Sequence, residues 1–171
     1  MTASIECPTL RRPPLAAAGL TATKWDSAED KARMGDAILS FIARGMPESA
    51  FTEKLYSRLS NMFGNIAHCD KNGFWQVQLS TTARRVAFLE QIATAPCWGQ
   101  PGHTWCDVER EIKARICEQK LIPAYRAAMR VESERDELAQ LARLQAKYGE
   151  AATQTAARAS QARKAEQLGL L

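Results

Sequence analysis

The chain has 171 residues, of which 46% are hydrophobic and 25% are charged, and its formal net charge is +4. This balance is typical of a soluble globular protein and excludes a disordered polyelectrolyte. The sequence has no apolar run near the roughly 20 residues that a membrane-spanning helix requires, so we expect no membrane association.

Residues 1–23 predict a disordered arm, because prolines interrupt them and their apolar stretch is too short for the core of a signal peptide. A twin-arginine export signal at Arg11-Arg12 is the alternative. The five cysteines are odd in number and irregularly spaced, unlike the disulfide framework of a small secreted protein. We therefore expect the protein to lie in a reducing cytoplasm.

The sequence predicts two amphipathic helices after Trp25. Asp26 followed by Glu29 resembles a capping box at the start of the first helix, and a Gly45-Met46-Pro47 turn separates it from the second. The two helices form a hairpin or a helix-turn-helix. Their apolar positions recur at helical spacing: Met34, Ile38, Phe41 and Ile42 in the first, and Phe51, Leu55, Leu59, Met62 and Phe63 in the second.

The period changes after the second helix, where a β-hairpin is predicted near residues 65–79. Asp70-Lys71-Asn72-Gly73 is a strong turn signal, because Asn and Gly tolerate positive φ. Beyond this turn, Trp75, Val77 and Leu79 alternate with glutamines, as in a half-buried strand. We expect the apolar face of the hairpin to pack on the helices.

Two further helices complete the predicted domain. Ser80 or Thr81 caps the third helix and Pro96 ends it. Asp107 caps the fourth, which Pro123 interrupts, and the residues between these two helices form an irregular loop. The inward-facing residues are Val86, Leu89 and Ile92 in the third helix and Val108, Ile112 and Ile116 in the fourth.

The C-terminal segment 126–171 has high helix propensity but few residues suited to a core. Three of its large apolar residues fit the seam of a heptad repeat, and two polar residues occupy other seam positions. The apolar ones are Leu138, Leu141 and Tyr148, and the polar ones are Glu134 and Gln145. We expect a long helix that stays partly frayed until a partner supplies a surface for it.

Several short motifs between residues 25 and 126 form a set that resembles a known group of proteins. They are Arg58-Leu59-Ser60, Phe63-Gly64-x-Ile66-Ala67-His68, Gly73-Phe74 and Asp107-Val108-Glu109-Arg110. The set resembles small uncharacterised proteins carried by plasmids, phages and other mobile elements of proteobacteria. The resemblance implies a setting among regulators, transfer factors and inhibitors of host defence such as anti-CRISPR proteins, and it implies no catalytic residue.

Cys97, His103 and Cys106 form a candidate metal site, with His68 or Cys69 as a fourth ligand that the hairpin would bring near. Four such ligands suit a structural zinc ion. The spacing matches no familiar zinc motif, however, and cysteines that pack as small hydrophobes explain it more simply. We therefore predict no cofactor, with zinc as the alternative.

The sequence predicts no enzyme. A thiol nucleophile at Cys97 or Cys106 would need a histidine partner, and no recognised catalytic motif surrounds either cysteine. The glycine motifs that bind phosphate groups are absent. Neighbouring carboxylates such as Glu109 and Glu111 alternate with basic residues, which is typical of a solvated helix face.

Nucleic acid is the preferred class of partner. A helix pair followed by a hairpin and an arginine-led helix resembles a winged helix-turn-helix in outline. In that arrangement basic side chains would neutralise phosphates and an aromatic ring would stack or brace. The candidate residues are Arg58, Lys71, Trp75, Arg84 and Arg85. The basic excess is spread evenly along the chain, which is less typical of a DNA-binding face.

A host protein is the alternative partner. Leu138, Leu141 and Leu144 with Tyr148 make an apolar strip that one helix cannot bury alone. This helix would therefore fold back on the core, form a homodimer, or dock on a partner. The loop that contains Trp98 and Trp105 is a second candidate contact.

Together these features predict a mainly α-helical fold in three parts. A disordered arm (1–23) precedes a small four-helix domain (24–125) with one β-hairpin, and an extended C-terminal helix covers 126–171. We expect a non-enzymatic accessory or regulatory protein of a mobile element that binds nucleic acid. Inhibition of a host protein or defence complex is the alternative.

Overall fold

The computed structural model describes residues 14–63 and 70–169, with the backbone alone for 150–159, 161, 162 and 165–168. These residues are mainly helical, as predicted, but they contain six α-helices rather than four and a tail. The helices are α1 (Ala28–Ala43), α2 (Glu53–Phe63), α3 (Lys71–Phe74), α4 (Thr82–Thr94), α5 (Cys106–Glu118) and α6 (Leu121–Gly169). Two 3₁₀ turns (Ala17–Gly19, Glu48–Ala50) and a π-helical segment (Trp75–Leu79) lie between or before them.

The chain divides into two compact units, Met1–Met129 and Arg130–Leu171. The first unit holds the apolar core, in which aromatic rings form a continuous cluster with ring centroids 5.3 to 6.3 Å apart. The cluster consists of Phe41, Phe51, Tyr56, Phe74, Trp75 and Phe88. Rings from α1, α2, α3 and α4 therefore meet at one place, which fixes these helices against one another.

Helix α1 begins with a capping box one residue later than the sequence predicted. The Ser27 hydroxyl accepts the N–H of Asp30, and the Asp30 carboxylate accepts the N–H of Ser27. Asp26, which the prediction placed at the cap, instead binds the side chains of Arg58 and Trp105. An acidic residue before a helix serves equally well as a cap or as a tertiary acceptor, and its sequence does not distinguish the two.

The predicted β-hairpin is wrong over the residues that the structure describes, which contain no strand. The turn signal opens helix α3 instead, because the Asp70 carboxylate accepts the N–H of Gly73 at 2.6 Å and caps the helix. The predicted second strand is the π-helical segment, and the first strand falls on residues 65–69, outside the described residues.

The spacing within this segment explains why a strand was predicted. Trp75 and Leu79 are buried, whereas Val77 is 50% exposed. Residues four apart share a helix face as well as a strand face. Position 77 is the one that distinguishes a helix from a strand, because a strand would bury it together with Trp75 and Leu79. Its β-branched valine favours a strand, but its side chain faces solvent here.

Residues 14–23, assigned to the disordered arm, pack against the helices of the first unit; the rest of that arm lies outside the described residues. Leu15 is buried, and its N–H donates to the Asp36 carboxylate at 2.8 Å. Gly35 makes this approach possible, because a Cβ there would lie 2.9 Å from Leu15 and 3.0 Å from Val108. The glycine thus lets this segment, α1 and α5 come into contact.

The break between α5 and α6 lies at Gln119 and Lys120 rather than at Pro123. Lys120 adopts a left-handed conformation with φ of 53°, which ends α5. Pro123 stands in the first turn of α6, where its missing N–H would have had no helical acceptor. The proline therefore starts a helix instead of interrupting one.

A buried lysine joins the parts of the first unit. The side chain of Lys31 is fully buried, and its Nζ lies 2.7 Å and 3.0 Å from the two carboxylate oxygens of Asp107. The ammonium group also donates to the carbonyl oxygens of Thr21 (2.7 Å), Pro101 (3.0 Å) and Thr104 (3.1 Å). One charge thus ties α1 to α5, to the N-terminal segment and to the α4–α5 loop.

Asp107 is equally well supplied with hydrogen bonds. Its carboxylate accepts the backbone N–H groups of Thr21 and Val108, both at 2.9 Å. Burial would raise the pKa of Asp107, but the hydrogen bonds from Lys31, Thr21 and Val108 outweigh it and lower the pKa. The pair therefore stabilises the fold above the unfolded pKa of about 3.9, and this stabilisation is lost as pH falls through the lower folded value.

Lys31→Met should lower the free energy of unfolding by about 3–5 kcal/mol, because it leaves the Asp107 carboxylate buried without its counter-charge. Urea unfolding followed by circular dichroism measures the change. Arg33→Met is the matched control on the same helix, since that side chain is 78% exposed, and it should cost under about 0.5 kcal/mol. Equal losses in the two variants would contradict the assignment.

Candidate functional site

The residues predicted to bind nucleic acid make contacts with other residues of the first unit. Trp75 is 6% exposed inside the aromatic cluster, so its ring has little surface for a base. Lys71 lies 3.3 Å from the carboxylate of Glu53. Both residues stabilise the segment that the sequence predicted to be a hairpin.

Arg84 and Arg85, at the start of α4, bind backbone carbonyls. The Arg85 guanidinium donates to the carbonyl oxygens of Leu79 at 2.7 Å and Gly45 at 3.0 Å, and it lies 5.6 Å from the centroid of the Trp75 ring. Arg84 donates to a carbonyl of the π-helical segment. These arginines donate to backbone carbonyl oxygens of the π-helical segment. Their positive charge at the start of α4 therefore does not by itself define a phosphate-binding face.

Arg58 and Trp105, predicted as contacts for different partners, meet in the structure. The guanidinium carbon of Arg58 lies 4.3 Å from the centroid of the Trp105 ring, a cation–π distance. Asp26 holds both, since one carboxylate oxygen accepts from Arg58 Nη2 at 2.8 Å and the other from Trp105 Nε1 at 3.1 Å. We call this stack the Arg58–Trp105 pair.

The Arg58–Trp105 pair lines two clefts of the first unit. The larger, which we call the α1–α2 cleft, has a volume of about 760 Å³. Its charged lining residues are Asp26, Asp30, Arg33, Arg44, Lys54 and Arg58. The two aspartates pair with Arg33 and Arg58.

Arg44 and Lys54 supply the unbalanced charge of the α1–α2 cleft. Both are exposed, and neither has a carboxylate within ion-pair distance among the residues that the structure describes. The cleft therefore carries two uncompensated positive charges. The sequence reasoning missed Arg33, Arg44 and Lys54. The spacing of eleven residues, three helical turns, between Arg33 and Arg44 at the end of α1 was a signal that these two lie on one face.

The second cleft, which we call the Trp98 cleft, has a volume of about 350 Å³. Trp98 on its rim is 73% exposed, and Glu109 in its wall is 8% exposed. Burial raises the pKa of Glu109; the hydrogen bond with the Cys97 thiol and the charge of Lys113 offset only part of this effect. This cleft thus combines an exposed aromatic ring with a buried acid.

The cysteine and histidine candidates do not form a metal site within 14–63 and 70–169, where no three His, Cys, Asp or Glu side chains could hold an ion. Cys106 is buried, Cys97 contacts Glu109, and His103 is exposed. His68 and Cys69 lie outside the described residues.

The predicted partner-binding residues on α6 are exposed. Leu138, Leu141 and Tyr148 have 66%, 50% and 58% of their surface accessible. Leu144 at 45% and Val131 at 59% extend the strip, and Val131 was not among the predicted contacts. Its spacing of seven residues from Leu138 is the signal that would have included it.

The chain matches no protein-family model, no curated protein and no solved structure. Over the residues that the structure describes, no helix combines the length and apolar character needed to cross a membrane. What the site does must therefore follow from its own geometry and charge.

Glu109→Gln should raise the free energy of unfolding at neutral pH, because burial disfavours the ionised carboxylate. A raised folded pKa gives stability that is complete below the unfolded value of about 4.3 and lost as pH rises through the folded pKa. Unfolding in urea between pH 4 and pH 8 should show this loss in the wild type and not in the variant.

Glu111→Gln is the matched control on the same helix, since Glu111 is 53% exposed, and it should keep the pH dependence of the wild type. A Glu109→Gln variant with an unchanged pH dependence would contradict the assigned shift.

Proposed function

We propose that this protein is a non-enzymatic accessory protein of a mobile element that binds nucleic acid in the α1–α2 cleft. The observation that carries the proposal is the placement of four basic side chains around one cleft. They are Arg33, Arg44, Lys54 and Arg58. The mobile-element setting rests on the resemblance of the short motifs alone.

The charge state of these side chains suits phosphate. Arg44 and Lys54 lack acidic partners among the described residues, so a phosphate would displace no carboxylate from them. Arg44 Nε donates to the Ser40 carbonyl oxygen at 3.2 Å, which leaves its terminal amino groups for a phosphate. Arg33 pairs with Asp30 at the surface, where both side chains are about half or more exposed. Such a pair contributes little to stability and leaves the guanidinium available for a stronger partner.

Trp98 favours a single strand over a duplex. Its ring is 73% exposed beside a cleft that shares Arg58 and Trp105 with the basic one. Bases of a single strand are free to stack on an aromatic ring while the backbone follows a basic groove. Duplex bases lack this freedom, so the combined surface should discriminate between the two.

Reversing two charges in the cleft, Arg44→Glu with Lys54→Glu, should abolish binding of a labelled single-stranded oligonucleotide in fluorescence anisotropy. The wild-type affinity should fall with salt with a logarithmic slope of about −2, as phosphate contacts from Arg33, Arg44 and Lys54 predict for a single strand. Arg110→Glu with Lys120→Glu makes the same charge change elsewhere in the first unit and should leave affinity within a few-fold. No binding at low salt, or equal loss in both variants, would contradict the proposal.

A protein partner at the Trp98 cleft is the second candidate function. Exposed tryptophan beside the apolar side chains of Met62, Phe63 and Pro96 is typical of an energetic hot spot at a protein interface. Pull-down from nuclease-treated host lysate should then retain one stoichiometric protein, and Trp98→Ala should lose it. Retention that nuclease abolishes would instead support nucleic acid.

A further inference from the structure

The second unit exposes an apolar strip along one helix. Its members are Val131, Leu138, Leu141, Leu144 and Tyr148, each between 45% and 66% exposed. Contiguous exposed apolar surface of this kind marks an interaction site. The strip lies within 130–171 and shares no residue with the clefts of the first unit.

All members of the strip except Leu144 follow the alternating three- and four-residue spacing of a coiled-coil seam. The seam positions are Val131, Glu134, Leu138, Leu141, Gln145 and Tyr148. Four of the six are apolar, and the two polar positions lie at equal distances from the midpoint between Leu138 and Leu141. The order of apolar and polar seam positions is therefore the same from either end, which an antiparallel pair of identical helices requires.

Charge changes sign along the same stretch. Residues 132–137 contain four acids and one base, whereas residues 142–147 contain two bases and no acid. The acids are Glu132, Glu134, Asp136 and Glu137, the base among them is Arg135, and the later bases are Arg143 and Lys147. The two halves of this segment thus carry net charges of opposite sign.

A parallel pair of these helices would place residues of the same charge next to each other. Glu134 would face Glu134 of the second copy inside the seam, and the acidic half would lie against the acidic half. Arg130 and Arg135, which flank the seam, would also approach each other between chains, and like charges at these positions oppose pairing.

We propose that two copies of this chain pair through residues 131–148 of α6 in antiparallel orientation. With Leu138 opposite Leu141 of the second copy, Val131 lies opposite Tyr148. Glu134 then faces Gln145, and a carboxylate–amide hydrogen bond replaces a repulsion between carboxylates.

The same register matches the seam of one copy to the seam of the other along its whole length. The reversed copy supplies an apolar residue for each apolar seam position and a polar residue for each polar one. Glu132, Asp136, Arg143 and Lys147 lie outside the positions that flank the seam, so the match rests on the seam itself. A partner of unrelated sequence has no such built-in match, so a second copy is the occupant that this strip fits best.

Oligomeric state provides the first test. Sedimentation equilibrium of the full chain should show a concentration-dependent dimer, and Leu138→Glu should shift the equilibrium to monomer. Ala139→Glu adds the same charge one residue away, outside the seam, and should stay dimeric. Circular dichroism of each variant checks that helix content is retained. A wild-type monomer at every concentration, or equal dissociation of both variants, would overturn the proposal.

A double variant, Val131→Cys with Tyr148→Cys, tests orientation. An antiparallel pair should form disulfides that join position 131 of one copy to position 148 of the other, identified as cross-linked peptides by mass spectrometry. These positions lie about 25 Å apart within one helix, so the bond cannot form within a chain. Links between identical positions would show a parallel pair and overturn the proposal.

These tests are separate from those of nucleic-acid binding, since their substitutions lie in different units. Loss of the dimer with intact oligonucleotide binding would remove only this inference. Loss of binding with an intact dimer would remove only the proposed function.

Discussion

The buried Lys31–Asp107 pair is the interaction on which the rest of the first unit depends. Two charges removed from water are tolerable only when every donor and acceptor around them is satisfied. Here Lys31 meets three carbonyl oxygens and a carboxylate, and Asp107 also accepts two backbone N–H groups. The loop between α4 and α5 is not helical, so the carbonyl oxygens of Pro101 and Thr104 lack helical donors. The Lys31 ammonium group donates to both of them and so fixes the path of the loop.

The candidate site follows from this constraint. Trp105 stands two residues before Asp107, so the segment that the lysine holds also carries the tryptophan. Asp26, next to the cap of α1, then accepts from both Trp105 and Arg58. The wall shared by the two clefts is therefore built from α2 and the loop, and a residue just before α1 holds it in place. A substitution that released the loop would therefore separate Arg58 from Trp105 even though neither residue is changed.

Apolar periodicity was enough to predict most of the long helices, but it could not predict what the polar residues do. Lys31 on an amphipathic helix is expected to face solvent, and its partner is 76 residues away. Arg85, a predicted phosphate contact, donates to two backbone carbonyls. Asp70 was assigned to a turn and caps a helix. The partners of Lys31 and the Gly45 acceptor of Arg85 are distant in sequence, so local sequence carries no signal of them. The Asp70 cap is local, and it was missed because the same four residues also favour a turn.

A dimer formed through α6 would carry two basic clefts. A cleft with two uncompensated charges is a modest binding site, since its affinity comes from few phosphates. Two such clefts on one dimer would make the second contact intramolecular, and a strand long enough to reach both would bind more tightly than a short one. The advantage should vanish with Leu138→Glu, whereas binding of a short oligonucleotide should not. Length dependence of affinity therefore connects the strip on α6 to the basic cleft.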